Sequence, residues 1–209
     1  MQLQKKLLSI DGGGIRGMIA LRVLHKIEAL LRQQRGQPNL VLADYFDYIG
    51  GTSTGGIVAA ALSIGMSVDQ IEAFYRAEAP SLFSPVRNPM RRMLFARYEA
   101  ARIADKLKQV FGADTTLGSA RIKTLLMLVM LNASTSSPWP VSNNPAAMYN
   151  DAALGLDSNL NLPLWQLVRA STAAPYFFDP EEILVGPNRY LFYDGGLTSL
   201  NNPAYKLFL

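Results

Sequence analysis

The chain has no cysteine and a single histidine, His25, among its 209 residues. Without thiols it forms neither a disulfide nor a thiolate zinc site, and nothing in its composition calls for an oxidising compartment. One imidazole excludes any metal site built on two histidines. A Ser-His-Asp triad must therefore use His25 or not exist. Long apolar runs are missing as well. The longest, Leu125 to Leu131, has seven residues, against the roughly 20 that a membrane-spanning helix needs. Near the start only Leu7 to Ile10 separates two lysines from Asp11, too little for the apolar region of a secretory signal. The expectation is a cytoplasmic protein that does not span a membrane.

What is present suits one compact domain with a real core: 49% of residues are hydrophobic and 17% charged, a balance typical of globular chains. The net charge of +4 is unevenly spread. Residues 76–123 hold ten Lys or Arg against four Asp or Glu, which leaves the rest of the chain at −2. Such an excess either attracts an anionic surface or forms a solvated face.

Apolar spacing predicts strands at Lys6–Ile10, Tyr45–Ile49, Ile122–Leu131, Glu182–Leu184 and Tyr190–Tyr193. It predicts helices at Gly17–Gln33, Gly55–Ile64, Val68–Glu78, Glu99–Phe111 and Leu164–Ser171. In the first helix Ala20, Leu24, Ile27 and Leu31 form the apolar stripe, with Val23 and Leu30 beside it. Pro80–Pro89 and Asn132–Pro145 read as loops. Strands alternating with helices argue for an α/β fold, a three-layer sandwich whose central, mainly parallel sheet is flanked by helices. Chemistry in such sheets collects beyond the carboxyl ends of the strands.

Ten of the sixteen glycines fall in three clusters, at 12–17, 50–56 and 195–196, each just after a predicted strand. The most specific is Gly51-Thr52-Ser53-Thr54-Gly55, a G-x-S-x-G between strand and helix. A nucleophile on so sharp a turn needs small neighbours, and Gly51 and Gly55 supply them. The turn also sets Ser53 at a helix N-terminus, where the dipole favours developing negative charge. The plainer alternative is a glycine-rich turn with an N-cap serine.

The first cluster, Gly12-Gly13-Gly14-Ile15-Arg16-Gly17, has two readings. It satisfies the dinucleotide pattern G-x-G-x-x-G, yet Leu31–Pro38 lacks the acidic residue that pattern wants about 20 positions on. Otherwise it is a nest of backbone N–H groups aimed at an anion, which beside Ser53 would be an oxyanion hole. The base is the open question. His25 lies among Arg22, Glu28 and Arg32, about 140° from the apolar stripe, and reads as a surface residue. Asp194 follows a strand and precedes two glycines, and burial near Phe192 and Tyr193 would raise its pKa toward a useful range. Its plainer role is a turn cap. Asp11 is the rival base, although its place suits fixing the glycine loop.

Asp11-Gly12-Gly13-Gly14-Ile15-Arg16-Gly17, Gly51-Thr52-Ser53-Thr54-Gly55 and Asp194-Gly195-Gly196 closely resemble the three signature motifs of patatin-like phospholipases. Ala43-Asp44-Tyr45-Phe46-Asp47 and Ala170-Ser171-Thr172-Ala173-Ala174-Pro175 agree with that family as well. The resemblance implies a Ser-Asp dyad hydrolase of lipid acyl esters, with no metal or cofactor and no nucleic-acid partner. It implies Ser53 as nucleophile, Asp194 as base, and oxyanion donors from Gly12, Gly13 and Gly14 supported by Arg16. Its substrate would be a phospholipid or another acyl-ester lipid. Residues 1–209 would form one catalytic domain, either shortened at its end or a compact variant, because the chain stops 13 residues after Gly196 where family members usually continue. For Leu82 to Phe95, which mixes cationic and apolar residues, one expectation is peripheral contact with an anionic membrane. The other is a loop packing its aromatics on the core. The rival functions are a catalytically silent interaction protein and a nucleotide-binding module.

Overall fold

The computed structural model describes residues 4–83, 102–151, 153, 157–175 and 177–209. The expected membrane contact at Leu82–Phe95 lies almost wholly outside the described residues. Among those described, no helix is long and apolar enough to cross a membrane.

One sheet carries the fold. Its strands are β1 (Leu7–Ile10), β2 (Tyr48–Thr52), β3 (Leu125–Asn132), β4 (Ser137–Ser142), β5 (Glu181–Val185) and β6 (Asn188–Asp194). β3 is the most apolar and lies at the centre, buried over most of its length, as a strand covered on both faces must be. β1, β2 and β3 pair in parallel, whereas β4 and β6 run antiparallel to β3, and β5 antiparallel to β6. Four strands, β1, β2, β3 and β5, therefore point one way and two oppose them.

The register positions the chemistry. β4 takes one edge of β3, from Met127 to Asn132. The other edge is shared: β2 pairs with Leu125–Val129 and ends at Thr52, and β6 pairs with Met130–Asn132 and ends at Asp194. The two strands thus meet head to head, Thr52 opposite Val129 and Asp194 opposite Met130. The residue after Thr52 is Ser53.

Helices cover both faces: α1 (Gly17–Arg35), α2 (Thr54–Ser63), α3 (Val68–Phe83), α4 (residues 102–111), α5 (Leu164–Ser171) and α6 (Ala204–Phe208). All ten residues of α2 are buried, so its run of Gly, Ala, Ile, Val and Leu needs no polar face. Adjacent strand residues point to opposite faces. Gly51 faces the start of α2, and Gly50 faces Leu207 of α6. α3 starts with a capping box in which Ser67 and Gln70 exchange bonds of 2.9 and 3.3 Å between side chain and backbone. The buried Glu28 of α1 adds a bond to the Val68 N–H and an ion pair at 2.6 Å with Arg32.

Several boundaries differ from expectation. β2 starts at Tyr48 because the chain before it is spent in a 3-10 turn at Leu42–Asp44, where the Asp44 side chain accepts the Val41 N–H at 3.0 Å. Gly50 and Gly51 lie inside the strand rather than ending it, since their missing side chains let α6 and α2 close on the sheet. The segment 132–145 is not all loop. Ser137–Ser142 forms a strand in which Pro138 and Pro140 occupy alternate positions opposite Leu131 and Val129, a spacing that an edge strand tolerates because both ring nitrogens face outward. α3 continues through Pro80 to Phe83, losing one backbone bond without ending. The buried face of α1 is Leu21, Leu24, Glu28 and Leu31, with Val23 and Leu30 exposed. An ion-paired glutamate lies where only apolar residues were expected.

Candidate active site

Ser53 has φ +56° and ψ −128°, a conformation that costs a non-glycine residue about 1–3 kcal/mol and persists only where its surroundings enforce it. Three contacts enforce it. The Ser53 carbonyl accepts the Gly56 and Ile57 N–H groups at 2.8 and 3.2 Å, beginning α2. The Ser53 N–H donates to Ser171 Oγ at 2.9 Å, and that hydroxyl donates onward to the Val129 carbonyl at 2.6 Å. Gly51 and Gly55 complete the turn, because a Cβ at Gly51 would overlap the Gly55 carbonyl and one at Gly55 the Ile10 carbonyl.

The Ser53 hydroxyl donates to Asp194 Oδ2 at 2.7 Å, a buried bond between residues 141 positions apart. The other carboxylate oxygen, Oδ1, accepts the Gly196 N–H at 2.7 Å, so Asp194 also caps its turn, as the plainer reading held. Asp194 is only 7% exposed. Burial raises its pKa above the ordinary carboxylate value, and the bonds from Ser53 and Gly196 offset part of that rise.

The glycine loop lies directly beside this pair. Gly12 gives its N–H to the Asn201 carbonyl at 3.1 Å, and Asn201 Nδ2 returns a bond to the Gly12 carbonyl at 3.3 Å. Gly12, expected among the oxyanion donors, is thus already engaged and serves as the loop's anchor. The Gly13 N–H makes a long 3.3 Å contact with Thr54 Oγ1. Gly14, at φ +58°, lines the same cavity as Ser53 and Asp194. Arg16 returns its backbone N–H and its Nε to the Gly13 carbonyl at 3.2 and 3.4 Å, bracing the loop.

That cavity measures about 240 Å³ and is lined mainly by apolar side chains, among them Ile57, Ile103, Leu107, Phe177 and Phe178. It takes a chain of carbons more readily than a polar body. Two residues without an assigned task in the sequence reading, Asn201 and the Ser171 named there only within Ala170–Pro175, help to hold the site. Asn201 ties the last turn to the glycine loop, and Ser171 binds the elbow from α5. A hydroxyl and an amide carry no spacing signal for such contacts. Asp11 is exposed, and the carboxylate that meets Ser53 is that of Asp194. His25 is on the outer side of α1 and pairs with Asp69 at 3.1 Å.

Removing the Ser171 hydroxyl would leave the buried Ser53 N–H without an acceptor. Ser171→Ala is expected to lower stability by about 1–3 kcal/mol. Urea unfolding of both proteins checks this, and an unchanged midpoint would contradict the bridging role.

Known proteins share this arrangement of chain. A cGAMP-activated phospholipase of Vibrio cholerae is 30% identical over 97% of this chain and 56% of its own length. Patatin-17 of Solanum cardiophyllum is 28% identical over 94% of this chain and 50% of its own. The chain thus spans about half the length of these relatives. An intracellular phospholipase A2 of Caenorhabditis elegans is 31% identical over 96% of this chain and 16% of its own. In fold, the chain is similar to VipD from Legionella pneumophila, with a TM-score of 0.55 at 16% identity, covering 92% of this chain and 46% of that one. The sequence profile of the family described as Patatin-like phospholipase matches residues 8–208, and the chain belongs to that family.

Proposed function

We propose that the protein is a lipid acyl hydrolase, a phospholipase A-type esterase working through an acyl-enzyme on Ser53. The observation that carries this reading is the buried 2.7 Å bond from Ser53 Oγ to Asp194, made at a strained elbow on the wall of an apolar cavity. The relatives named as phospholipases support the lipid class.

The acyl chain enters the cavity and sets its ester carbonyl above Ser53. Asp194 takes the hydroxyl proton as Oγ attacks, and negative charge gathers on the carbonyl oxygen. The Gly14 N–H, the N-terminus of α2 and the Gly13 N–H, once it exchanges its long contact with Thr54 Oγ1 for the oxyanion, stabilise that charge, while Gly12 and Arg16 keep the loop in place. Collapse of the intermediate expels the alcohol, a lysolipid or other ester remnant, which leaves with the proton held by Asp194. Water then gives a proton to Asp194 and attacks the acyl-enzyme; as the acyl–Oγ bond breaks, Asp194 returns that proton to Ser53 Oγ and the fatty acid is freed.

An ordinary aspartate is a weak base at neutral pH, and burial corrects this in the useful direction. Because its pKa is raised on folding, Asp194 favours the folded state most below the unfolded value. That contribution is lost as pH rises through the folded value, so some stability is given up to keep a basic carboxylate at working pH. Phospholipid and p-nitrophenyl ester hydrolysis should both be measurable. For the soluble ester, kcat/KM should rise with pH along a limb centred above the ordinary aspartate value. His25→Ala should leave that limb in place. Absence of hydrolysis, or a limb that vanishes with His25, would overturn the reading.

A further inference from the structure

α1 presents to solvent a surface unlike that of an ordinary helix on a globular protein. Its only acidic residue, Glu28, is buried and paired with Arg32, so no carboxylate of α1 reaches water. At about 100° per residue, Ile19, Val23, Lys26 and Leu30 of α1 fall in one row, and Ile15 stands just before it in the 3-10 turn Gly14–Arg16 that leads into the helix. Ile15 is 60% exposed, Ile19 67%, Val23 57% and Leu30 42%. An outward apolar row of this kind is unusual on a helix that only meets water.

The row begins at the mouth of the cavity. Ile15 lines the cavity together with Ser53, and so does Phe177, itself 51% exposed. Charge completes the pattern. Arg16 and Lys26 are exposed beside the apolar side chains. The neighbouring acids of α3 lie to one flank, where Glu72 holds Arg22 at 3.2 Å and Asp69 holds His25 at 3.1 Å. Apolar side chains interleaved with cations that pair with no carboxylate among the described residues fit the boundary between headgroups and acyl chains of a bilayer.

We propose that this outer face of α1 docks on an anionic lipid surface and holds the cavity mouth against it. The inference rests on the lipid-hydrolase reading for its purpose, but the docking is measurable without turnover. Docked in this way, Ile15 and Phe177 would form the lip across which an acyl chain passes from the bilayer into the cavity.

The test uses co-sedimentation with vesicles of phosphatidylcholine, with and without phosphatidylglycerol, for three proteins: wild type, Ile19→Asp/Val23→Asp and Lys26→Glu. Wild type should bind, and more tightly when phosphatidylglycerol is present. The double variant should lose about tenfold or more in vesicle affinity. Lys26→Glu should lose the preference for the anionic vesicles. Both variants should keep wild-type turnover of p-nitrophenyl butyrate, which needs no surface, and wild-type melting by circular dichroism. Double-variant affinity within about twofold of wild type, against the loss that burial of two side chains requires, would overturn the proposal. So would a wild type that ignores both kinds of vesicle, leaving the face to a protein partner. Vesicle binding without butyrate turnover would instead count against the hydrolase reading alone.

Discussion

Replacing Asp194 by asparagine should lower ester turnover by about 10²–10⁴-fold, the usual range for loss of a positioned general base, while the protein stays folded. The amide is close to the carboxylate in shape, and its oxygen can still accept the Gly196 N–H. What changes is the atom facing Ser53, where an acceptor at 2.7 Å becomes an NH₂ group with no basicity. The Ser53 hydroxyl then has nowhere to send its proton. Stability should move the other way. A carboxylate whose pKa burial has raised weakens the fold at neutral pH, and its neutral isostere relieves that cost. A folded Asp194→Asn protein with unchanged p-nitrophenyl butyrate turnover would remove the base from the scheme.

Gly55→Ala separates helix propensity from packing, because the two predict opposite signs. In the first turn of α2, alanine is favoured over glycine by about 1 kcal/mol on propensity alone. The added Cβ, however, would overlap the Ile10 carbonyl and come within 2.6 Å of the Asp11 carbonyl. Both are backbone atoms at the end of β1, with no side-chain freedom to move aside. Packing should win, with a net loss of about 2–3 kcal/mol read as a lower urea midpoint. The displaced segment leads directly into Gly12–Gly14, so turnover should fall with stability. A raised midpoint would mean that β1 and α2 are less tightly apposed than the structure has them.

Much of the candidate site's geometry was legible, because so tight a turn admits only particular residues at particular spacings. Gly51 and Gly55 have to be glycines for Ser53 to occupy its turn, and a carboxylate followed by two glycines at the end of a strand is a rare arrangement. The same logic placed β3 through its unbroken apolar run and α5 at its actual bounds. Contacts that depend on the whole fold were not legible. Nothing in the string of residues announces that β2 and β6 share one edge of β3, yet this register alone brings positions 53 and 194 together. The engagement of Gly12 by the backbone carbonyl and side-chain amide of Asn201 joins residues 189 positions apart and is silent in composition. β4 was hidden by its own prolines, which an edge strand tolerates and an average over residues does not. In α1, Glu28 behaves as an interior residue because Arg32 and the start of α3 receive its charge, and this rotates the buried face away from Val23 and Leu30.

The idea that a serine is activated here without a histidine is tested most directly by covalent labelling. Native protein treated with a fluorophosphonate and read by intact mass and peptide mapping should carry one adduct, on Ser53. Labelling should persist in His25→Ala and collapse in Asp194→Asn, with both variants folded by circular dichroism. An adduct on Ser53 that vanishes with His25 and survives loss of the Asp194 carboxylate would contradict the dyad. A native protein that takes no label would deny that Ser53 is a nucleophile.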